Sequence, residues 1–227
     1  MKLIQGDCLR VMSQLEPRSV DLILTDPPYG TTAASWDSVV PFPDMWQQLN
    51  RIIKPGGAIV LFGSQPFTTQ LISSNLPMFR YLWYWKKTQH SNPFIASIQP
   101  LRIIEDIAVF CRTKPPYYVK TTETSVQHGV KRSDLFNGTK RAYTQTKTGW
   151  PRNVLEYKRD RGYHPTQKPV ALLEYLISIY TKEGDTVLDF TMGSGSTGVA
   201  AKNTNRDFIG IEISREYCEV AASRILN

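Results

Sequence analysis

Short apolar runs alternate with amphipathic segments along most of the chain. Residues 19–25 are largely apolar and end at Asp-Pro-Pro, which is typical of a buried parallel strand followed by a loop. Apolar positions at helical spacing predict helices over residues 44–53, which end at Lys-Pro-Gly-Gly, and over residues 169–180. The same reasoning predicts strands at residues 58–62, 79–85, 106–111, 186–190 and 207–213, and a short helix at residues 197–203.

This alternation predicts the fold class. Strands and helices in alternation form a doubly wound α/β fold, in which helices cover both faces of a mostly parallel sheet. Residues 114–161 differ, because they are rich in threonine, contain scattered glycines and show no clear period. We therefore expect one domain formed by residues 1–113 and 162–227, with a small insertion at residues 114–161.

Composition excludes several classes of protein. The chain has 227 residues, and its 41% hydrophobic content excludes general disorder. Its apolar runs are far shorter than the roughly 18 residues that cross a bilayer, and the N-terminus lacks a signal-peptide core. Cys8, Cys111 and Cys218 are too widely spaced for a C-x-x-C metal pair and too few for a disulfide framework. We expect a soluble, cytoplasmic protein with reduced thiols.

The net charge of +7 is concentrated in one part of the chain. Residues 114–161 contain eleven Lys or Arg and four Asp or Glu, whereas basic and acidic residues balance in the rest. A local excess of positive charge predicts a polyanionic partner. A solvated charged surface is the alternative interpretation.

The first candidate site follows the predicted strand at residues 19–25. Asp26, Pro27, Pro28 and Tyr29 lie at its carboxyl end, where ligands bind in open parallel sheets. Prolines lack N–H groups and fix φ, so the loop is rigid and presents acceptors. A carboxylate beside a carbonyl can accept both hydrogens of one exocyclic amine, and a tyrosine ring can stack on a base. A proline-rich turn with an N-capping aspartate is the alternative.

The second candidate site follows the strand predicted at residues 186–190. Gly193, Gly195 and Gly198 satisfy G-x-G-x-x-G and open a helix, and Glu212 lies 19 residues after Gly193, at the end of the next strand. This order predicts a cofactor that contains adenosine. NAD is one candidate, but only 29 residues follow Gly198, too few for the rest of a nucleotide-binding sheet. The remaining strands must then come from the N-terminal half, in a permuted order.

Four sequence motifs in this permuted order resemble the β-class amino DNA methyltransferases. They are Asp-Pro-Pro-Tyr, a basic variable stretch, His-Pro-Thr-Gln-Lys-Pro from residue 164, and Asp-Phe-Thr-Met-Gly-Ser-Gly-Ser-Thr from residue 189. The resemblance extends to small adenine methyltransferases of phages and restriction–modification systems. It implies a Rossmann-like fold, S-adenosylmethionine as the cofactor, and methylation of adenine N6 or cytosine N4 on a base flipped out of duplex DNA.

The resemblance also implies roles for individual residues. Asp26 and Pro27 would accept the hydrogens of the target amine, Pro28 would complete the rigid loop, and Tyr29 would stack on the base. The implied cofactor site comprises Asp7, Cys8, His164, Thr166, Gln167, Lys168, Asp189, Phe190, Thr191, Met192, Gly193, Ser194, Gly195, Ser196, Thr197, Glu212 and Ile213. Cys8 as a small buried thiol and His164 as a loop residue remain alternatives.

The insertion at residues 114–161 becomes the expected target-recognition segment. Its candidate contacts to double-stranded DNA are the basic residues Lys131, Arg132, Lys140, Arg141, Lys147, Arg152, Lys158, Arg159 and Arg161. No metal site is expected, since the three histidines lack ligand spacing. Because members of the family are often dimers, a homodimer is a further hypothesis, and a cognate restriction enzyme is compatible with the resemblance.

The target atom and the class of protein leave alternatives. Aspartate at position 26 favours adenine N6, because N4-cytosine enzymes more often have serine there. Cytosine C5 chemistry needs a nucleophilic cysteine, usually after a proline, and none of the three cysteines follows one. Cytosine-N4 methylation, an NAD-dependent oxidoreductase and a non-catalytic nucleic-acid-binding protein remain as rival hypotheses.

Overall fold

The computed structural model describes residues 1–32, 37–91, 96–128, 143–160, 162–163 and 167–226. Two compact units result, one formed by Met1–Tyr118 with Asn153–Asn227 and the other by Val119–Arg152. The elements are β1 (Lys2–Gln5), α1 (Cys8–Met12), β2 (Val20–Thr25), α2 (Phe42–Ile52), β3 (Ile53–Gly63), α3 (Phe67–Ser74), a 3-10 helix (Leu76–Met78), β4 (Phe79–Ser91), β5 (Arg102–Phe110), β6 (Thr122–His128), β7 (Tyr143–Thr148), β8 (Val154–Tyr157), α4 (Val170–Tyr180), β9 (Thr186–Asp189), α5 (Ser196–Asn203), β10 (Asp207–Glu212) and α6 (Arg215–Leu226).

The larger unit contains one sheet of eight strands in the order β1-β10-β9-β2-β3-β5-β4-β8. Only β5 runs antiparallel to the other strands of this sheet. The C-terminal strands β9 and β10 pair beside β2 from the N-terminal half, so the chain enters the sheet in a permuted order. The predicted mostly parallel α/β fold is confirmed.

Both faces of the central strands are buried. Ile23 of β2 packs in one apolar cluster with Met12 of α1, Leu49 of α2 and Phe67 of α3. Its neighbour Leu24 points to the opposite face, because side chains alternate along a strand, and it is fully buried as well. Helix α4 contacts β2 and α5, and α5 contacts β9 and β10. Helices therefore cover the sheet on both sides, as the unbroken apolar runs predict.

The Lys-Pro-Gly-Gly sequence follows the end of α2 at Ile52, as predicted, but it lies within β3 rather than before it. Strand β3 begins at Ile53 and runs through this sequence, and its pairing with β2 jumps from Ile53 to Ala58. Proline donates no ladder hydrogen bond and glycine is permissive, so the four residues form an irregularity within the strand. The predicted end of the helix is confirmed, and only the start of the strand differs, because Ile53 already pairs with Val20 of β2 ahead of the jump in register.

The basic segment contributes to both units. Strand β8 pairs in parallel with β4 at the edge of the main sheet, with Trp85 opposite Leu155. The smaller unit contains the antiparallel pair β6 and β7, with a register shift between Glu123 and Val126. The compact unit Val119–Arg152 is thus narrower than the predicted insertion at residues 114–161. Among the described residues, no helix has the length and apolarity needed to cross a membrane.

Candidate functional site

Three neighbouring parallel strands end at the same edge of the main sheet. β2 ends at Thr25, β9 at Asp189 and β10 at Glu212, and the order β10-β9-β2 puts these ends side by side. Ligands of doubly wound sheets bind outside such ends. A cleft of about 1100 Å³ opens there, and every described residue predicted to be catalytic or cofactor-binding lines it except Gly195. The structure therefore brings the two candidate sites into one cleft.

The glycine loop is held by the carboxylate of Glu212. One oxygen accepts from the N–H of Gly193 and the other from the N–H of Ser214, both at 2.8 Å. Gly193 has φ +50°, and an added Cβ would meet no atom within 4 Å, so the loop leaves open space above it. At Gly195, with φ +81°, an added Cβ would lie 2.8 Å from Cβ of Ala221. Gly193 faces the cleft, whereas Gly195 allows α5 to pack against α6.

Thr25 joins the loop after β9 to the loop after β2. Its hydroxyl donates to Asp189 Oδ1 at 2.7 Å and accepts from the N–H of Phe190 at 2.9 Å. In the reverse direction, the Thr191 hydroxyl donates to the backbone carbonyl of Asp26 at 3.1 Å. The positions of the two loops are therefore fixed relative to each other by direct hydrogen bonds.

Asp189 is a nearly buried acid in the wall of the cleft, 4% exposed. Burial raises the pKa of its carboxyl to about 6, although hydrogen bonds from Thr197 and Thr25 act in the opposite direction. A carboxyl with this pKa changes charge between pH 5 and 7. A positively charged ligand in the cleft would favour the ionised form.

The far end of the cleft offers polar and apolar contacts. Asp7 caps α1, since its Oδ1 accepts from the N–H of Arg10 at 2.9 Å. Burial, followed by the charge of Asp7, raises the pKa of the Cys8 thiol to about 11, so the thiol stays neutral. Ile213 lines the cleft and is 64% exposed. Together with Glu212, whose oxygens have further acceptor capacity, these residues fit the adenine and ribose of an adenosine-containing cofactor.

Asp26 lies where the cleft meets a second set of charges. The Tyr29 hydroxyl donates to Asp26 Oδ1 at 2.5 Å and lies 3.1 Å from Glu105 Oε1. The Tyr29 ring stacks on Phe67, with centroids 4.9 Å apart and planes at 27°. Burial raises the pKa of Asp26 above its ordinary value even though the Lys168 ammonium beside it acts to lower the pKa.

The His-Pro-Thr-Gln-Lys-Pro motif contributes Lys168 to the Asp26 side of the cleft. The Lys168 ammonium contacts Asp26 Oδ2 and lies 2.9 Å from Glu105 Oε1. The first N–H of α4, that of Val170, donates to Asp160 Oδ2 at 2.9 Å, so a carboxylate of the chain itself occupies this helix terminus. The resemblance implies a cofactor-binding role for Lys168, and the structure places its ammonium in the cleft, in contact with the predicted catalytic aspartate.

Three polar residues of this region were missed by sequence reasoning. Glu105 and Lys87 form an ion pair at 2.5 Å in which both side chains are about nine-tenths buried, and Thr25 links the loops. A signal for two of them existed. Glu105 lies two residues before the buried Ile107 in β5, so both side chains point to the same face of the sheet. Lys87 lies two residues after the buried Trp85 in β4 and likewise shares its face. A charged residue at an inward-facing position of an apolar strand indicates a buried ion pair.

The predicted DNA contacts are only partly within the described residues. Lys147 of β7 and Arg152 are exposed in the smaller unit. Arg159 lines the cleft, and Lys158 and Arg159 line an adjoining pocket of about 560 Å³. Outside the described residues lie Lys131, Arg132, Lys140, Arg141, Arg161, His164 and Thr166. No group of three His, Cys, Asp or Glu side chains suited to a metal ion occurs in the described part of the chain.

Comparisons with known proteins give the family. The sequence profile of the N6/N4 methyltransferases, a DNA methylase family, matches residues 20–223. The type II methyltransferase M.HpaI of Haemophilus parainfluenzae is 31% identical over 243 residues, covering 99% of this chain and 74% of M.HpaI. The M1.HpyAVI complex with S-adenosylmethionine is 25% identical, has a TM-score of 0.67 and is covered over 98% of both chains.

A further solved structure supports the fold alone. The cytosine-N4-specific PvuII DNA methyltransferase is 19% identical to this chain, with a TM-score of 0.74 and coverage of 99% of this chain and 86% of that one. The family profile spans nine-tenths of the chain and agrees with the permuted strand order and the glycine loop at the cleft. The chain therefore belongs to the N6/N4 DNA methylase family and is an S-adenosylmethionine-dependent DNA methyltransferase.

Proposed function

We propose that this enzyme methylates adenine N6 at a specific sequence in duplex DNA, on a base flipped into the cleft. The observation that carries this proposal is the shared cleft, in which Asp26 and Pro27 lie beside the loop that follows β9. Aspartate at the first position of the motif favours adenine over cytosine N4. Methylation of cytosine N4 remains the second candidate, because the family includes both activities.

The proposed catalytic task is orientation of the target amine. The lone pair of adenine N6 is delocalised into the ring and is a poor nucleophile. Asp26 and the Pro27 carbonyl accept the two amine hydrogens, which favours a pyramidal nitrogen with a directed lone pair. S-adenosylmethionine supplies an electrophilic methyl group when bound. Because the Thr25 and Thr191 hydrogen bonds fix the loop of Asp26 to the loop after β9, both reactants have a defined relative position.

The base must leave the duplex to reach Asp26. Flipping costs a few kcal/mol of unstacking, which contacts in the cleft must offset. Tyr29, whose ring stacks on Phe67 and whose hydroxyl is tied to Asp26, is held rigid at the predicted base site. A rigid aromatic surface loses little conformational entropy when a base packs against it.

The cofactor is assigned to the half of the cleft formed by β9, β10 and β1. Glu212 would accept from the ribose hydroxyls, and the exposed Ile213 would pack on the adenine. Asp189 and the surface above Gly193 would receive the methionine portion, whose ammonium group complements a carboxylate. Lys168, which is also predicted to bind the cofactor, lines the same cleft, where it pairs with Asp26 and Glu105.

The raised pKa of Asp189 predicts a pH dependence of cofactor binding. Below about pH 6 the Asp189 carboxyl is mostly protonated. If the ionised carboxylate pairs with the methionine ammonium, Asp189 must lose this proton before the cofactor binds. The affinity for S-adenosylmethionine should then fall by up to about tenfold per pH unit below that value. Calorimetric titrations between pH 5 and 8 measure this slope, which should be absent in Asp189→Asn. An Asp207→Asn control, altered at the start of β10 and outside the cleft, should keep the slope. A slope retained in Asp189→Asn would contradict the pairing.

The basic segment at residues 114–161 is proposed to bind and recognise DNA. Lys/Arg contacts to phosphates supply most of the affinity in such complexes and make it salt-dependent. Arg159, at the cleft, and Lys158 beside it are suited to phosphates next to the flipped base. A segment of this size can recognise only a short DNA sequence, unless a second subunit contributes further contacts. We therefore also propose a homodimer, which light scattering would test. We also propose a cytoplasmic location, which fits DNA as the substrate.

Neutralising four basic residues tests the role of the segment. Replacing Lys131, Arg132, Lys140 and Arg141 with glutamine should weaken DNA binding and reduce the slope of log K against log salt by about 0.9 for each phosphate that the protein no longer neutralises. Fluorescence anisotropy at several salt concentrations measures both quantities. Lys2 and Lys202, exposed on the larger unit, provide matched neutral substitutions that should change neither. A parallel loss of cofactor affinity would mean that the segment supports the catalytic fold.

Long-read sequencing tests the base and the sequence specificity together. DNA from a methylation-deficient host that expresses the enzyme should carry N6-methyladenine at one recurring sequence. N4-methylcytosine at one sequence would establish the second candidate instead. An unmodified genome, combined with tight DNA binding by the purified protein, would favour the non-catalytic alternative.

A further inference from the structure

A chain of four alternating charges extends from Asp26 into the protein. Lys168 contacts Asp26 and lies 2.9 Å from Glu105 Oε1, and Lys87 lies 2.5 Å from Glu105 Oε2. The side chains of Lys168, Glu105 and Lys87 are 8%, 8% and 10% exposed, and that of Asp26 is 26% exposed toward the cleft. Tyr29 bridges the first and third members through its hydroxyl.

The network contains equal numbers of acids and bases, and three of its four side chains are about nine-tenths buried. Burial opposes ionisation of Glu105, but the Lys168 and Lys87 ammonium groups outweigh it and lower the pKa of Glu105 to about 2. Burial likewise opposes the charge of Lys168, but Asp26 and Glu105 raise its pKa. Lys87 differs, because burial lowers its pKa more than Glu105 raises it. Glu105 and Lys168 are thus firmly charged, whereas burial disfavours the charged forms of Lys87 and Asp26.

Such a network is not explained by stability alone. The attraction within a buried ion pair exceeds the cost of removing its charges from water by little. Apolar side chains of similar volume would stabilise the fold equally well. What distinguishes this one is its position, since one end is the predicted catalytic carboxylate. Lys168 shares its donors between Asp26 and Glu105, so the charge on Glu105 decides how strongly Lys168 neutralises Asp26.

We propose that Glu105 and Lys87 are positioning residues for methyl transfer, which act through Lys168 to set the charge and orientation of the Asp26 carboxylate. The proposal rests on the proposed role of Asp26 as acceptor of the amine hydrogens. Glu105 accepts part of the hydrogen bonding of the Lys168 ammonium, so Lys168 holds Asp26 less tightly. The Asp26 carboxylate therefore stays available to the target amine. Lys87 balances Glu105, so that its negative charge does not favour protonation of Asp26.

Removing each charge should therefore shift the ionisation of Asp26 in opposite directions. In Glu105→Gln, Lys168 has Asp26 as its remaining carboxylate, so the pKa of Asp26 falls and its oxygens are held more tightly. In Lys87→Met, Glu105 is less neutralised, so the pKa of Asp26 rises. The other charged or titratable groups close to this network are Tyr29 of the same loop, Asp189 of β9 and Arg159 beyond Lys87, and all three are unchanged in both variants.

The pH dependence of kcat/KM for DNA, measured at saturating S-adenosylmethionine, provides the test. It reports ionisation in the cofactor-bound enzyme before DNA binds, so the predicted effect of Asp189 on cofactor binding does not contribute. Relative to the wild type, the acidic limb should move to lower pH in Glu105→Gln and to higher pH in Lys87→Met, each by roughly one unit. Both variants should lose roughly 10- to 100-fold in kcat at neutral pH, a part of what a well-placed acid–base group contributes. Their affinity for S-adenosylmethionine should change less than threefold, roughly the error of additivity for separate sites.

Lys86→Met is the matched control. Lys86 is the neighbour of Lys87 in β4, but it points to the other face and pairs with the exposed Glu156 at 2.8 Å. Its pH profile should follow the wild type. The double variant Glu105→Gln/Lys87→Met, which removes one acid and one base, should return the acidic limb toward the wild-type position. Each single variant has its own predicted direction of shift, so either one tests the proposal if the other does not fold.

The proposal would be overturned if the acidic limb of the pH profile stays in place in both single variants, or if it moves in the same direction in both. Failure of the underlying function gives a different result. If Asp26→Ala retains full methylation, the catalytic site itself is misassigned. If Asp26→Ala is inactive and the limbs do not shift, the site stands and only the positioning role of Glu105 and Lys87 is wrong.

Discussion

Replacing Asp26 with alanine should abolish methyl transfer and leave the affinity for S-adenosylmethionine close to that of the wild type. The carboxylate would no longer accept an amine hydrogen, and the Lys168 ammonium at the target-base site would keep only Glu105, which it shares with Lys87, as a carboxylate partner. A loss of roughly 10³-fold or more in the single-turnover rate is expected, because orientation and charge complementarity are removed together. Radiolabelled methyl transfer measures the rate, and calorimetry measures the cofactor affinity.

Asp21→Ala provides the control for this experiment. Asp21 lies on the same strand, β2, and pairs with Lys54 at 2.7 Å, but it does not line the cleft. Its removal costs a partly exposed ion pair and the hydrogen bond from the Thr186 N–H, about 1–2 kcal/mol in all, and should leave the rate unchanged. Full activity in Asp26→Ala, or an equal loss in both variants, would show that Asp26 has no specific part in the reaction.

Glu212→Gln should remove most of the affinity for S-adenosylmethionine. Both carboxylate oxygens accept from backbone N–H groups, those of Gly193 and Ser214, and an amide can accept with only one of its two polar atoms. The amide nitrogen would face an N–H, and the ribose hydroxyls would lose a charged acceptor. Hydrogen bonds to charged groups contribute about 1.5–3 kcal/mol each, so the dissociation constant should rise by roughly 100-fold or more.

The exposed Glu216, in the first turn of α6, offers the matched charge change. Glu216→Gln should bind the cofactor as the wild type does, and both variants should bind DNA equally well. Calorimetry for the cofactor and anisotropy for DNA separate the two sites. Wild-type cofactor affinity in Glu212→Gln would mean that the carboxylate of Glu212 only supports the loop and contributes nothing to the bound molecule.

Features encoded by adjacent residues were predictable from the sequence. The apolar run that became β2 and the helical spacing that became α4 each required burial of one continuous surface. The glycine loop was equally local, because strand, glycines, helix and acid follow one another within thirty residues. Each of these patterns allows few other structures.

Features that depend on pairing between distant residues were not predictable. Lys87, Glu105 and Lys168 are separated by up to 81 positions, and no local pattern says that their side chains meet beside Asp26. The sequence predicts a loop-rich insertion where β8 lies, because a strand of four residues with one buried side chain has no clear pattern. Pairing with β4 makes these residues a strand. Tertiary context decides such cases.

The identity of the methylated nucleoside tests the central claim most directly. Purified enzyme is incubated with labelled S-adenosylmethionine and unmethylated duplex DNA of mixed sequence, and the DNA is digested to nucleosides and separated. Label in N6-methyladenine with the wild type, and none with Asp26→Ala, is the predicted result. Label in N4-methylcytosine, or label in N6-methyladenine that persists in Asp26→Ala, would contradict adenine methylation at this site.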